Sequence, residues 1–385
     1  MQGTRRRDGA DAAQTLATAR RLVVKIGSAL LVESPAGTIR HAWLAALVED
    51  LVRCRARGQE VVLVTSGAVA VGRRHLGLTG TLKLVEKQAA AASGQIHLAH
   101  AYLEAFARHD VGIAQILLTP DDTEERRRHL NARATLDALL ALNIIPVINE
   151  NDTVATAEIR FGDNDRLAAR VAQMVSADTL VLLSDIDGLY SADPRRDESA
   201  QHFDEIHAIT PEIEKMAGNA PPGYSSGGMV TKLAAARIAM GAGCRMVIAR
   251  GDGLAPLAAI EAGARVTWFI PNSEPRTARK RWIAGMLNLS GYLVVDDGAA
   301  RALAAGNSLL PSGVLTVDGS FERGDAVGVR SADGRDLARG LAAYSSAEAQ
   351  AIAGRKSGEI DAILGFHNGD EVVHRDDLVV SGETL

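Results

Sequence analysis

Seven short apolar runs punctuate the first 270 residues of the chain: RLVVKI (21–26), VVLV (61–64), GIAQILL (112–118), NIIPVI (143–148), TLVLL (179–183), RMVIA (245–249) and RVTWFI (265–270). They are rich in β-branched residues and mostly lack polar alternation, which is the pattern of strands buried on both faces. Between most of them lie alanine- and leucine-rich stretches with apolar residues at helical spacing, such as HAWLAALVEDLVRCRAR and VEKQAAAASGQIHLAHAYLEAFARH. Strand and helix in series predict an α/β domain with an open, mostly parallel sheet sandwiched by helices. After PNSEPRTARKRW (271–282) the rhythm changes to short strands divided by Gly, Asp and Ser, among them GVLTVDG, RGDAVGVRSADG and EVVHRDDLVV. That pattern predicts a small β-barrel-like module with one or two helices. The expected organisation is a disordered tail over 1–18, a catalytic domain over 19–272, a linker over 273–286, a second domain over 287–378 and a C-terminal tail over 379–385.

Composition narrows the class. At 385 residues, with a formal net charge of -5, the chain exceeds what one hydrophobic core usually serves, and a soluble, enzyme-sized protein with a second module is expected. Cys54 and Cys244 lie far apart and in no CxxC pairing, so neither a disulfide framework nor a cysteine zinc site is supported, and a reducing cytoplasm fits. The first twenty residues carry charges without an apolar signal core, and no later run approaches the ~18 apolar residues of a membrane span.

The polar motifs all follow strands: KIGS the first, TSGAVAVG the second, NENDTV the NIIPVI run and SDIDG the TLVLL run. Ligands of open parallel sheets bind beyond the carboxyl ends of the strands, so four motifs on that one edge predict a single site. Each also has an ordinary reading. Lys25 could be a surface lysine folded along apolar atoms, Ser66 a helix N-cap, and Ser184 and Asp185 turn residues. GYSSGGMVTK (223–232) is more specific, because a glycine-rich loop enters a helix with Lys232 in its first turn. Free N–H groups, the helix dipole and an ammonium would together hold phosphate. GxxxxGK[ST] matches nowhere and GxGxxG is absent, so two lysines from different loops would have to do the phosphate work. The cluster Asn149, Glu150, Asn151, Asp152, followed by Asp163, Asn164 and Asp165, does not have the spacing of a calcium loop. A zwitterionic amino acid accounts for it: carboxylate acceptors such as Asp152 suit an α-ammonium, and an amide donor such as Asn164 suits a carboxylate.

Taken together and in this order, VVKIGS, VTSGAVAVG, INENDTVATAEIRFGDND, SDIDGLYSADPR and SGGMVTK resemble the amino-acid kinase family and, within it, the glutamate 5-kinases. RKRWIAG, GAARAL, SLLPSGV, GRDLARGLAAYSS and EIDAILG resemble the PUA domain that bacterial members often carry. The resemblance implies ATP-dependent phosphorylation of the γ-carboxylate of L-glutamate, the first step of proline synthesis. It implies catalytic roles for Lys25, Lys232 and Asp165, with Asp165 orienting the two lysines. Glutamate would be bound by Ser66, Gly67, Asn149, Asp152 and Asn164. ATP would be bound by Lys25, Ser184, Asp185, Ser226, Gly227, Gly228, Met229, Val230, Thr231 and Lys232, with Mg²⁺ alongside and no metal ligand assigned among the residues. Ser28 and Arg160 stand where some members have Thr and Lys.

The resemblance further implies a homo-oligomer, feedback by proline and a glutamate-5-semialdehyde dehydrogenase that receives the acyl phosphate. Two alternatives stay open at this point. Loop chemistry alone does not separate glutamate from aspartate, N-acetylglutamate or a nucleoside monophosphate as acceptor, and a PUA domain could mark an RNA-binding protein. Residues 290–385 hold 8 Lys and Arg against 15 Asp and Glu, a balance that argues against strong RNA affinity despite the local basic run at Arg276, Arg279, Lys280 and Arg281.

Overall fold

The computed structural model describes residues 16–154, 164–217, 228–275, 280, 283, 289–367 and 369–381. The seven apolar runs form strands β1 (Arg21–Ile26), β2 (Glu60–Val64), β3 (Ile113–Leu118), β4 (Ile145–Glu150), β5 (Thr179–Ser184), β7 (Arg245–Arg250) and β8 (Val266–Phe269), and a two-residue strand β6 (Glu205–Ile206) joins them. Their order in one eight-stranded sheet is β6-β8-β7-β5-β1-β2-β4-β3. Every neighbouring pair is parallel except β7 and β8. The exception has a local cause. The helix between them, Pro256–Glu261, rises only about 9 Å, about half the length of a six-residue strand, so the chain returns along β8 instead of crossing back over the sheet.

Period-two alternation sorts the strand residues between two cores. Leu22, Val24 and Ile26 of β1, Val61 and Leu63 of β2, and Val181 and Leu183 of β5 face one side. Val23, Val62, Val64, Leu180 and Leu182 face the other. Helices α1 (His41–Ala56), α2 (Ala68–His75), α3 (Leu84–Ala107) and α7 (Pro256–Glu261) cover the first face, while α4 (Arg126–Ala141), α5 (Asn164–Met174) and α6 (Met229–Gly241) cover the second. Lys25 shares the parity of Val23, so it leaves β1 on the side of α5 and α6. The sheet reverses its winding at β1, with β2, β4 and β3 on one flank and β5, β7, β8 and β6 on the other, and ligands of open α/β sheets bind above the strand ends at such a point.

Helices α2 and α3 cross with their backbones in contact. A Cβ on Gly72 would lie 1.7 Å from Ala90 O, and one on Gly94 would lie 1.8 Å from Ala68 O, so only glycine allows this approach. The crossing sets where the loop before α2 sits.

By its contacts the chain divides into two compact units, Met1–Pro275 and Arg276–Leu385. The second is a mixed five-stranded sheet of β9 (Gly291–Val295), β10 (Val314–Gly319), β11 (Ala326–Ser331), β12 (Asp336–Leu341) and β13 (Leu378–Val380), in the order β10-β9-β11-β12-β13. β9 and β11 are parallel and the other pairs antiparallel. Leu293, Val327, Val329, Phe321 and Tyr344 fill its own core. Two boundary expectations need correction. Leu16 is fully buried and its carbonyl accepts from Gln59 Nε2 at 2.9 Å, so packed structure begins before residue 18. Val379 is buried within β13, so the C-terminal tail begins later than 379. The expected linker falls mostly outside the described residues. Among those described, no helix is long and apolar enough to cross a membrane.

Candidate active site

Three charged side chains meet above the carboxyl end of β1. Lys25 Nζ lies 2.7 Å from Asp165 Oδ1, and Lys232 Nζ lies 3.3 Å from Asp165 Oδ2. Thr231 Oγ1 donates to Asp165 Oδ2 at 2.8 Å. Lys25 reaches from the end of its strand, Asp165 from the first turn of α5 and Lys232 from the first turn of α6. All three are buried, with Asp165 only 1% exposed. Burial alone would raise the Asp165 carboxyl, but the two ammonium groups and their hydrogen bonds outweigh it and hold the group far below the usual carboxylate range. Two cations share one anion, so the cluster carries a net positive charge of one in a water-poor setting. Such an arrangement attracts an anionic ligand and costs stability until it comes.

Helix α6 begins at its N-cap Gly228, and a Cβ there would meet nothing within 4 Å among the described residues. Its first-turn amides, at Met229, Val230 and Thr231, sit at the positive end of a thirteen-residue helix. Ser226 and Gly227 lie outside the described residues, as do Arg160 and Asp163. At the end of β5, Ser184 Oγ donates to Asp185 Oδ1 at 3.1 Å, and Arg195 pairs with Asp185 Oδ2 at 2.7 Å. Burial works against ionisation of Asp185, yet these hydrogen bonds keep it below its ordinary value.

A second group of residues forms a chain of amides beside the charged cluster. Asn164 Nδ2 donates toward Thr65 O (2.5 Å), Ser66 Oγ (2.9 Å) and Asn149 Oδ1 (2.9 Å). Asn149 Oδ1 also accepts from the backbone N–H of Glu150 at 2.9 Å, and Asn149 Nδ2 donates to Gln95 Oε1 at 2.7 Å. This corrects the expected role of Asn164 as a donor to a carboxylate. Its donor atom is occupied within the protein, while Oδ1 is buried and unpartnered among the described residues, an acceptor waiting for a donor.

Gly67 follows Ser66 with φ 107 and caps α2, and a side chain there would press within 2.9 Å of Val32 Cγ2. The N-cap of α2 is thus Gly67 and not Ser66; the Ser66 hydroxyl oxygen accepts from Asn164 Nδ2 at 2.9 Å, and its proton has no acceptor among the described residues. Asp152 sits on a single 3₁₀ turn after β4, 8% exposed, with no hydrogen-bond or ion-pair partner among the described residues. Burial pushes its carboxyl up to about 6. A buried carboxyl of this kind suits a cationic ligand.

The structure therefore brings together Lys25, Lys232, Asp165, Gly228 and Thr231 in one cluster, and Ser66, Asn149 and Asn164 in its neighbour. Gln95, Thr65 and Tyr102 belong to the second group and were not anticipated. Tyr102 OH lies 2.8 Å from Thr65 Oγ1. A helical-wheel signal exists for Gln95, which shares the buried face of Ala91, Leu98 and Tyr102 within an otherwise apolar stretch.

Two lysines sharing one buried carboxylate, a helix N-terminus beside them and an adjoining amide cradle define a phosphotransferase site at the switch point of an α/β sheet. The family model described as the amino acid kinase family matches residues 20–250, and that of the PUA domain matches residues 291–364. Curated relatives named glutamate 5-kinase include those of Paramagnetospirillum magneticum, 65% identical over 95% of this chain and 99% of the relative, and Rhodospirillum rubrum, 60% identical over 93% and 96%. That of Agrobacterium fabrum is 57% identical over 96% of this chain and 95% of the relative. The chain belongs to the amino acid kinase family, in its glutamate 5-kinase branch with a C-terminal PUA domain. Among solved structures, a UMP kinase from Bacillus anthracis aligns with 66% of this chain and 97% of its own, at 14% identity and a TM-score of 0.46.

Proposed function

We propose that the buried cluster of Lys25, Asp165 and Lys232 carries phosphoryl transfer from ATP to the γ-carboxylate of L-glutamate, giving L-glutamyl 5-phosphate and ADP. The observation that carries this reading is the single carboxylate shared by two buried ammonium groups. A γ-carboxyl in water titrates at about 4.3 and is an anion at neutral pH, so no general base is required. One of its oxygens attacks the γ-phosphorus, the bond to the β,γ-bridging oxygen breaks, and the electron pair leaves with ADP. Repulsion between two anions is the obstacle. Lys25 and Lys232 offset it, Asp165 keeps both directed at the same point, and the first-turn amides of α6 receive phosphate oxygens.

The substrate fits the second group by chemistry. Asp152 and Asn164 Oδ1 accept from its α-ammonium, and the Ser66 hydroxyl donates to a carboxylate. Ser184 and Asp185 lie at the neighbouring strand end, where the nucleotide would extend. Mg²⁺ would neutralise phosphate charge during transfer. Among the described residues no three His, Cys, Asp or Glu side chains could hold a metal ion, and Asp165 is already engaged by two lysines. The ion would arrive with ATP, and none of the steps above runs through it.

Several finer points go with this reading. The cysteines and family suit a cytoplasmic enzyme, its acyl phosphate calls for a reductase close at hand, and proline is the expected feedback ligand. A homo-oligomer is supported by an exposed apolar stripe on α3, where Val85, Ile96 and Leu103 are 67%, 71% and 53% exposed and lie on one helix face.

The test is ATP turnover with hydroxylamine, comparing L-glutamate with L-aspartate, N-acetylglutamate and UMP. Glutamate-dependent hydroxamate is expected. No hydroxamate from glutamate, with ADP release driven by another acceptor, would leave the phosphate site standing and overturn the substrate.

A further inference from the structure

Helix α3 lies behind the amide chain and contacts it with one polar side chain, Gln95, which is 8% exposed in the middle of an apolar face. The donor and acceptor roles along that chain are fixed at both ends by backbone groups that cannot exchange them. Glu150 N–H can only donate, so the atom of Asn149 facing it at 2.9 Å is Oδ1. Thr65 C=O can only accept, so the atom of Asn164 facing it is Nδ2. With those two settled, Asn149 Nδ2 points to α3 and meets Gln95 Oε1 at 2.7 Å, while Asn164 Oδ1 is left buried and without a partner among the described residues.

From this, and resting on the reading of the site as a glutamate kinase, we infer that Gln95 is a positioning residue for recognition of the substrate's α-ammonium. By accepting from Asn149 Nδ2 at 2.7 Å it adds to the hold that Glu150 N–H and Thr65 C=O place on the two amides, and so steadies Asn164 Oδ1 toward the ligand. Without an acceptor at position 95, Asn149 Nδ2 would be buried unpaired. Rotation of the Asn149 amide would set its Nδ2 against the Glu150 N–H and break its bond to Asn164, so the side chain would be strained in either orientation. Asn164 would keep Thr65 C=O but lose its fixed partner at Asn149, so Oδ1 would be held less firmly where the ammonium needs an acceptor. Gln95 touches no reacting atom, so its effect falls on the affinity for the amino group and not on phosphoryl transfer.

The experiment uses the full-length chain with Gln95→Met, which keeps the length and removes the acceptor, and Gln95→Glu, which keeps an acceptor oxygen. Gln95→Asn, which withdraws the oxygen, is read in place of Gln95→Met if the latter does not fold. For each, KM and kcat are measured for L-glutamate, and the competitive inhibition constant is measured for glutarate, which has both carboxylates and no amino group. In Gln95→Met the KM for L-glutamate is expected to rise about tenfold or more, with kcat and the glutarate constant within about twofold of wild type. Gln95→Glu should keep most of the wild-type preference for glutamate over glutarate. Equal losses for both compounds would mean a merely structural role and overturn the inference. So would an unchanged KM in Gln95→Met, or a Gln95→Glu variant as impaired as Gln95→Met. A wild-type chain that yields no glutamate-dependent hydroxamate would instead overturn the functional reading beneath it.

Discussion

Protonation of Asp152 should weaken the hold on glutamate by about tenfold between pH 8 and pH 5. Burial pushes this carboxyl up to about 6, and no cation among the described residues brings it back. At pH 5 only about one site in ten is ionised, while most of the free substrate's γ-carboxyl, which titrates at about 4.3 in water, remains an anion. KM for L-glutamate should therefore fall as pH rises through about 6 and level off above it. The same burial has a consequence for stability. A carboxyl whose folded pKa lies above its unfolded value is penalised when ionised, and the cost is complete above the folded pKa and absent below the unfolded one. From the ordinary aspartate value of 3.8 to about 6, that cost is up to about 3 kcal/mol at pH 7. Asp152→Asn removes it, so the substrate-free variant should melt above wild type at pH 7 to 8 and close to it near pH 4. The assays are KM for L-glutamate at saturating ATP from pH 5 to pH 8, and melting temperature at both ends of the scale, for the two proteins. A flat KM profile in wild type would refute the reasoning. A variant that binds glutamate normally and melts lower at pH 8 would do the same.

The charged cluster and the helix crossing each carry a prediction of their own. Lys25→Ala and Lys232→Ala should each lower kcat by at least about 100-fold, with circular dichroism and elution volume unchanged; a folded variant of either kind with near-normal turnover would remove that lysine from the mechanism. Gly72→Ala and Gly94→Ala should each cost at least about 3 kcal/mol in denaturant unfolding, because the new Cβ would fall within 2 Å of a backbone carbonyl that cannot step aside. A loss below about 1 kcal/mol would show that the helices part without penalty.

Much of the architecture is legible in the residues alone, and the reason is visible in β1. A run with no polar alternation leaves few options other than a strand covered on both sides, and the polar residues at its end then mark the ligand edge. The lysines, Asp165 and the amides around Asn149 are legible on that ground. The direction of β8 is not, because RVTWFI has the same character whichever way it runs, and what decides is the brevity of α7. Nor is the use made of Asn164. Residue type tells that an amide has both a donor and an acceptor; which one faces the ligand depends on Thr65 O and Glu150 N, backbone atoms from two other segments of the chain. The lack of a counter-ion for Asp152 among the described residues likewise depends on how the neighbouring segments pack around the turn. Gln95 is inconspicuous within AAAASGQIHLA because its partner lies 54 positions away.

The alternation in β1 also bears on how such a chain can change its length over generations. Residues 22, 24 and 26 serve one core and Val23 the other, and Lys25 leaves the strand on the side of Val23 toward Asp165. Adding or removing one residue upstream within this strand, with its pairing to β2 and β5 otherwise kept, would turn Lys25 into the opposite core, which Leu22, Val24 and Ile26 now face, and would bring an apolar residue to the phosphate site. A mutation of that kind fails twice, once in packing and once in chemistry. Gains and losses of residues should therefore be confined to turns such as Gly77–Gly80 or Asp193–Ser199, while the six residues of β1 keep their number even where their identities drift.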